Sequence, residues 1–339
     1  MKNFLLHICI LFLITSCNNE APVTPEKKAK NEVSVIPEQV NNQSSVVLEK
    51  KTNYMINMSG RAKTASESSA YYNKFFIGYY GRPNAEHMGI LGMHKPEDLM
   101  PKLLEHTKIY QDVIGKDISV VPVFHLIYGM ATMIPQKDGS YLMFLSDETV
   151  MKYIEIANKA GFAVILDVQI GNKIPVDSIQ KALPFLKYKD VHLAIDPEFS
   201  VTHLKDTRPG KFIGHVTAEQ INDVQKAMVD YMAANNITDN KILIVHSFKH
   251  KMIKNQYDLA IFDKIDLTIN VDGYSNPCVK IDVFDSIITQ NIDNKAFVGF
   301  KLFLDPSKDR PLMTPRQSLG LDSYKTATLK VMPSYINMQ

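Results

Sequence analysis

Seven short runs of Val, Ile, Leu and aromatic residues recur between longer amphipathic stretches from about residue 71 onward. They are KFFIGYYG (74–81), ISVVPVFHLI (118–127), FAVILDVQ (162–169), VHLAIDPEF (191–199), KILIVHSF (241–248), DLTINVDGY (266–274) and AFVGFKLFL (296–304). Each is apolar at nearly every position, not at every second one. A strand of that kind must bury both faces, which happens in a parallel sheet whose connections are helices. The intervening patterns predict helices over 96–115, 147–160, 176–187, 218–235, 249–257 and 279–290. Asp147 is the expected N-cap of the second and Gly161 its C-cap. Thr217 is the expected cap of the fourth, which sets Ile221, Val224, Met228 and Met232 along one stripe.

This alternation predicts an α/β chain of the (β/α)8 TIM-barrel type, complete or irregular. The eighth strand is the faintest, and ATLKVMPSY (327–335) is the segment expected to supply it. A doubly wound open sheet is the alternative. It expects a glycine-rich phosphate turn after the first strand, and GYYGRPN is not GxGxxG.

The first residues follow another logic. Lys2 precedes the apolar run FLLHICILFLI (4–14), which is too short to span a bilayer as a helix. Ile14-Thr15-Ser16-Cys17 resembles the lipobox of bacterial lipoproteins. That resemblance implies a signal peptide over 1–16, removed on export, and a lipid, with palmitate or a similar acyl chain, on Cys17. Several acyl chains anchor stably where one does not. Residues 17–70 are rich in Asn, Ser, Lys, Glu and Pro and predict a flexible tether. The barrel would occupy 71–339. The expected location is the cell envelope, on the outer or cytoplasmic membrane, with the domain outside the cytoplasm.

Of the three cysteines, Cys9 would leave with the signal and Cys17 would carry lipid. Cys278 would then be a lone thiol, expected to be buried. No internal disulfide could form, so the fold would stand on its core. The net charge of +2, without a long basic run, argues against a nucleic-acid partner.

Barrel chemistry sits at the C-terminal ends of the strands, and those ends are polar here. His125 lies near the end of the second run. Asp167 and Gln169 end the third, Asp196 and Glu198 the fourth, and His246 the fifth. Asn270 and Asp272 end the sixth, and Lys301 lies in the seventh. In Asp196-Pro197-Glu198 the carboxylates are two residues apart, so on a strand they point the same way. Asp167 is on the preceding strand, about 4.8 Å away if the two are neighbours. Like charges so crowded raise at least one pKa. A protonated acid beside an ionised carboxylate, about 5 to 9.5 Å apart, is what glycosidic cleavage requires. Asp196 could equally cap the following loop and leave Glu198 solvated.

His125 and His246 suit proton transfer, substrate polarisation or a hydrogen-bonded wall. No HxH or HExxH occurs, so no metal or other cofactor is expected outright. A metal site would have to be assembled from separate strands, with His125, Asp167, Glu198 and His246 as donors. Lys301 could neutralise an anionic substrate or pair with Asp272. Tyr79, Tyr80, Tyr128, Phe199, Phe248 and Tyr274 lie beside these positions and offer faces to sugar rings, although the chain has no tryptophan.

FFIGYYG (75–81) and LAIDPE (193–198) resemble the first and fourth strands of barrel glycoside hydrolases of the chitinase-like superfamily. That resemblance implies Glu198 as the acid and Asp196 as its partner. The FHLI, LD-Q and DPE segments are also similar to those of a group of bacterial lipoproteins, which implies fold and location. The expected function is a membrane-anchored hydrolase of a glycan or glycoconjugate, with Glu198 as acid/base. Asp196 or Asp167 would orient it or stabilise positive charge. His125, Gln169, His246, Asn270, Asp272, Lys301 and Tyr80 would hold the small polar substrate. A metal-assisted phosphodiesterase and a non-catalytic ligand-binding lipoprotein are the alternatives.

Overall fold

The computed structural model describes residues 65–204, 207–289 and 295–339. Cys17, the signal segment and the tether through residue 64 lie outside the described residues. The domain is a closed (β/α)8 TIM barrel. Its eight parallel strands are β1 (Lys74–Gly81), β2 (Ser119–Ala131), β3 (Ala163–Val168), β4 (Val191–Ile195), β5 (Lys241–Ser247), β6 (Ile265–Val271), β7 (Phe297–Leu302) and β8 (Tyr335–Met338). Each pairs with the next in chain order, and β8 closes on β1 through Phe76 opposite Tyr335. A short strand, Leu142–Phe144, runs antiparallel to the end of β2.

The doubly buried strands divide their side chains between two cores. One face, including Val164, Leu166, Leu193, Leu243, Ile269 and Val298, packs against the outer helices. The other fills the barrel with Phe76, Val123, Ile165, Ala194, Ile244, Phe297 and Tyr335. The main outer helices are α1 (Pro96–Ile114), α2 (Asp147–Ala160), α3 (Ala218–Ala234) and α4 (Pro277–Ile288). Ile221, Val224, Met228 and Met232 of α3 are buried as one stripe. Thr217 and Gln220 form a reciprocal capping box at its start.

The lower end of the barrel is plugged by the chain entering it. Ser69 Oγ and the Ala70 amide donate to Asp266 Oδ2 at 3.0 and 2.7 Å. Tyr71 bonds Thr268 at 2.8 Å and packs 4.4 Å from Phe297. The last residues of the stretch read as tether, 65–70, thus include side chains seated on the barrel floor.

Four local expectations differ from what is observed. Ser146, not Asp147, caps α2, accepting from the Thr149 amide; Asp147 lies in the first turn, where its charge favours the helix dipole. Gly161 ends that helix in the left-handed region, as expected. The predicted helix over 176–187 splits into Pro175–Ser178 and a tight turn at Leu183–Lys187. Pro184, which has no amide to donate, takes a place at the start of that second turn. The helix expected over 249–257 is replaced by 3-10 turns at His250–Met252 and Gln256–Asp258: between them Ile253–Lys254 pairs as a strand with Val216–Thr217, and Asn255 is left-handed at φ 55°. The eighth strand begins at Tyr335 instead of spanning 327–335, because Pro333 has no amide to give a ladder.

Candidate active site

Side chains on a strand alternate between faces, so the interior apolar residues fix which later residues face the mouth. Stepping by two from Phe76 leads through Gly78 to Tyr80. Val123 leads to His125, Ile165 to Asp167, Ala194 to Asp196 and Ile244 to His246. Thr268 leads to Asn270 and Asp272, Phe297 through Gly299 to Lys301, and Tyr335 to Asn337. All eight strands therefore end in a polar side chain above an apolar barrel. Tyr80, His125, Asp167, Asp196, His246, Asn270, Lys301 and Asn337 are buried.

The structure brings most of the predicted residues together. His246 Nδ1 lies 2.8 Å from Asp272 Oδ2, and its Nε2 lies 3.6 Å from Asp167 Oδ2. Tyr80 donates its hydroxyl to the same Asp167 oxygen at 2.8 Å. Asn270 Nδ2 holds the other oxygen of Asp272 at 2.5 Å. Lys301 Nζ stands 3.4 Å from Asp272 Oδ2 and 3.8 Å above the centre of the Tyr80 ring, a cation on an aromatic face. Of the two readings of Lys301, the structure shows the pairing with Asp272. His125 Nδ1 bonds the Tyr335 hydroxyl at 2.9 Å, and its ring lies 5.3 Å from that of His246.

Asp196 and Glu198 arrive differently from the expectation of two side chains on one strand. β4 stops at Ile195, and Pro197–Phe199 forms a tight 3-10 turn capped by Asp196, whose Oδ1 accepts the Glu198 amide at 3.0 Å. Asp196 is therefore both buried in the mouth and the brace of the turn that presents Glu198. Glu198 is half-buried. Gln169 is turned to a backbone role, its Oε1 accepting from the Ala131 amide at 2.9 Å. Of the aromatic set, Tyr80 lies within the polar cluster. Tyr79 bonds His106, Tyr128 reaches the Lys181 carbonyl, and Tyr274 packs on Phe303. Cys278 is buried.

The electrostatics follow from crowding. Four carboxylates (Asp167, Asp196, Glu198, Asp272) face two cations, Lys301 and the protonated form of His246. Burial opposes charge on His246, but Asp272, Asp167 and Asp196 outweigh it and lift its pKa to about 9. Burial likewise works against Asp272, yet His246 and Lys301 hold it at about 2. Those two form the settled ion pair. Burial raises Asp167 above the usual range despite His246 and Tyr80. Burial, with Glu198 and Asp167 adding to it against His246, pushes Asp196 well up. Burial also raises Glu198, against the pull of Lys301. Burial, His246 and Lys301 keep His125 neutral.

Residues outside the predicted set complete the site. Asn337 and Tyr335 belong to β8; the segment expected for that strand ended at Tyr335 and left Asn337 outside it. Lys280 is buried, 3.0 Å from Asp309, and donates to the carbonyls of Gly273 and Lys301, tying the ends of β6 and β7 together. Arg82 does the same between β1 and β2 by donating to the carbonyls of Ile127 and Tyr128.

No family model matches the chain, and no curated protein matches it. Among solved structures, a GH18 chitinase from Pseudoalteromonas aurantia is similar over 78% of this chain and 93% of its own, at 12% identity and a TM-score of 0.42. A GH138 enzyme targeting pectin rhamnogalacturonan II is similar over 67% of this chain and 30% of its own, at 13% identity and a TM-score of 0.36. The chain thus spans less than a third of that second protein. Likeness at this level adds nothing to the barrel already described.

Proposed function

We propose that this chain is a lipid-anchored hydrolase outside the cytoplasm that cleaves a glycan or glycoconjugate by carboxylate acid/base catalysis. The observation that carries the reading is the imbalance of four carboxylates over two cations at the barrel mouth, with Glu198 half-exposed at its edge. Asp272 is already held by His246, Lys301 and Asn270; none of these holds the Glu198 carboxylate.

In this reading Glu198 keeps a proton and delivers it to the leaving glycosidic oxygen. Asp167, fixed by Tyr80, offers negative charge to the oxocarbenium-like centre. Asp196 is a positioning residue, since its Oδ1 fixes the turn carrying Glu198. Lys301 and His125 line the place where sugar hydroxyls would bind. The Cys17 lipid would keep the barrel at the envelope, where polymeric glycans are met.

The test is release of reducing ends from a panel of envelope, plant and host glycans by the purified protein and by Glu198→Gln. The wild type should release product. E198Q should keep the same melting temperature and lose at least ~100-fold in kcat, the scale of general acid catalysis. An E198Q protein of undiminished activity removes the assignment. Tight glycan binding without product would make the chain a binding lipoprotein instead.

A further inference from the structure

Among the buried atoms at the mouth without a hydrogen-bond partner, beside those of Asn270 and Asn337, are Nε2 of His125, Nε2 of His246 and Oδ1 of Asp167. Each residue's other donor or acceptor is occupied. His125 Nδ1 meets the Tyr335 hydroxyl, His246 Nδ1 meets Asp272, and Asp167 Oδ2 takes the Tyr80 hydroxyl. A buried polar atom left unpaired costs about 1–3 kcal/mol, and here three such atoms occur in adjoining residues. Donor atoms of these three residues all lie within 4.8 Å of one another.

We propose that His125, Asp167 and His246 bind one divalent transition-metal ion of the zinc class. Two imidazoles and one carboxylate are a donor set that suits Zn²⁺, with positions left open for water or substrate oxygen. Ligands about 2.0–2.2 Å from an ion need only a modest contraction from the observed spacing. The outer contacts match as well. A metal-bound imidazole usually gives its second N–H to a carboxylate or another oxygen, which fixes the ring; Asp272 and Tyr335 stand in those places. The carboxylate excess supplies the negative field that a dication needs. Lys301 does not occupy the position, because it is held between Asp272 and the face of Tyr80. On binding, the ion takes the Nε2 position of His246, and any proton on that nitrogen or on Asp167 leaves to solvent. The site is assembled from β2, β3 and β5, which is why no local motif announces it. It goes beyond the hydrolase reading and does not depend on Glu198.

The experiment uses the full-length protein purified in detergent, stripped with chelator and titrated with Co²⁺ and Zn²⁺, with Mg²⁺ as the hard-cation control. One Co²⁺ per chain should bind with visible d–d bands, and Zn²⁺ should displace it. H125Q, H246Q and D167N should each weaken binding at least ~10-fold, and D272N by ~10–100-fold, the range for an outer-shell partner. E198Q should bind as the wild type does, so loss of hydrolysis and loss of metal are read separately. Absence of stoichiometric binding overturns the proposal. So does binding that survives H125Q and H246Q but disappears when the adjacent imidazoles of His203 and His215, 3.6 Å apart, are replaced. Should the histidine variants fail to fold, X-ray absorption on the wild-type Co²⁺ form decides, two imidazoles being required and any other number refuting the site.

Discussion

The imidazole of His246 places Nδ1 2.8 Å from Asp272 Oδ2, and this contact organises the barrel mouth. With Asp167 Oδ2 at 3.6 Å from Nε2, one ring lies between two carboxylates contributed by different strands. In chelator-treated protein this ring should titrate at about 9, far above the ordinary 6.5. The sign for stability follows. A histidine whose folded pKa is raised contributes fully below the unfolded value and loses that contribution as pH rises through the folded one. Metal-free protein should therefore lose melting temperature between pH 6.5 and 9. Asp272→Asn should remove that slope and return the ring toward its ordinary pKa. Imidazole NMR shifts measure the pKa and thermal melts the slope; a D272N ring still titrating near 9 would contradict the assignment.

Asp196 gives a slope of the same sign, beginning at lower pH. Burial raises it well above the usual carboxylate range, so the unfolded chain ionises first and stability falls as pH climbs from about 3.8. Asparagine has the shape of the protonated acid and keeps an Oδ1 for the Glu198 amide. Asp196→Asn should therefore stabilise the protein by about 1–2 kcal/mol at pH 7, in the manner of other relieved functional sites. Near pH 3.5 it should give no gain. Thermal melts at the two pH values suffice, and a variant that is less stable at pH 7 would show that Asp196 is ionised.

Lys301 is the strongest pull lowering the raised pKa of Glu198. Lys301→Met removes it, so Glu198 should hold its proton to higher pH. If Glu198 is the acid, the alkaline limb of the kcat profile should move up while Lys301→Arg leaves it near the wild type. Loss of the cation also deprives Asp272 of one partner, and kcat at its optimum should fall. A limb that moves to lower pH in K301M would mean that the limb reports another group.

The mouth was legible in the sequence because strand periodicity carries chemistry as well as packing. The patterns V-x-H at 123–125, I-x-D at 165–167 and I-x-H at 244–246 place each polar group two residues above an interior apolar one. Asn270, Asp272 and Lys301 stood out as polar groups at the ends of apolar runs, and T-x-N-x-D at 268–272 and F-x-G-x-K at 297–301 follow the same two-residue step. Y-x-N at 335–337 follows it too, but the apolar residues before Pro333 drew the expected eighth strand too early. Glu198 was found for an incomplete reason. Two-residue spacing suggested a shared strand face, whereas Pro197 ends the strand and Asp196 turns the chain. The unpaired nitrogens of His125 and His246 were out of reach, because they depend on which ring atom faces which neighbour across non-adjacent strands.

Gly299 tests whether that interior packing sets the chemistry. It lies inside β7 opposite Asn270, and a Cβ built there would overlap the Asn270 side-chain oxygen. Gly299→Ala must push the amide aside, at a cost of about 1–3 kcal/mol for an overpacked core. The amide that moves is the one holding Asp272 Oδ1, so metal affinity and turnover should fall together with stability. Adding Asn270→Ala opens the space again. The double variant should therefore regain much of the stability lost by G299A, a coupling of contacting residues that departs from additivity. It should not regain activity, because Asp272 still lacks its amide donor. Melts and turnover of the two single variants and the double variant separate the effects. Full recovery of turnover in the double variant would mean that Gly299 matters for space alone and that Asn270 does not hold Asp272 for function.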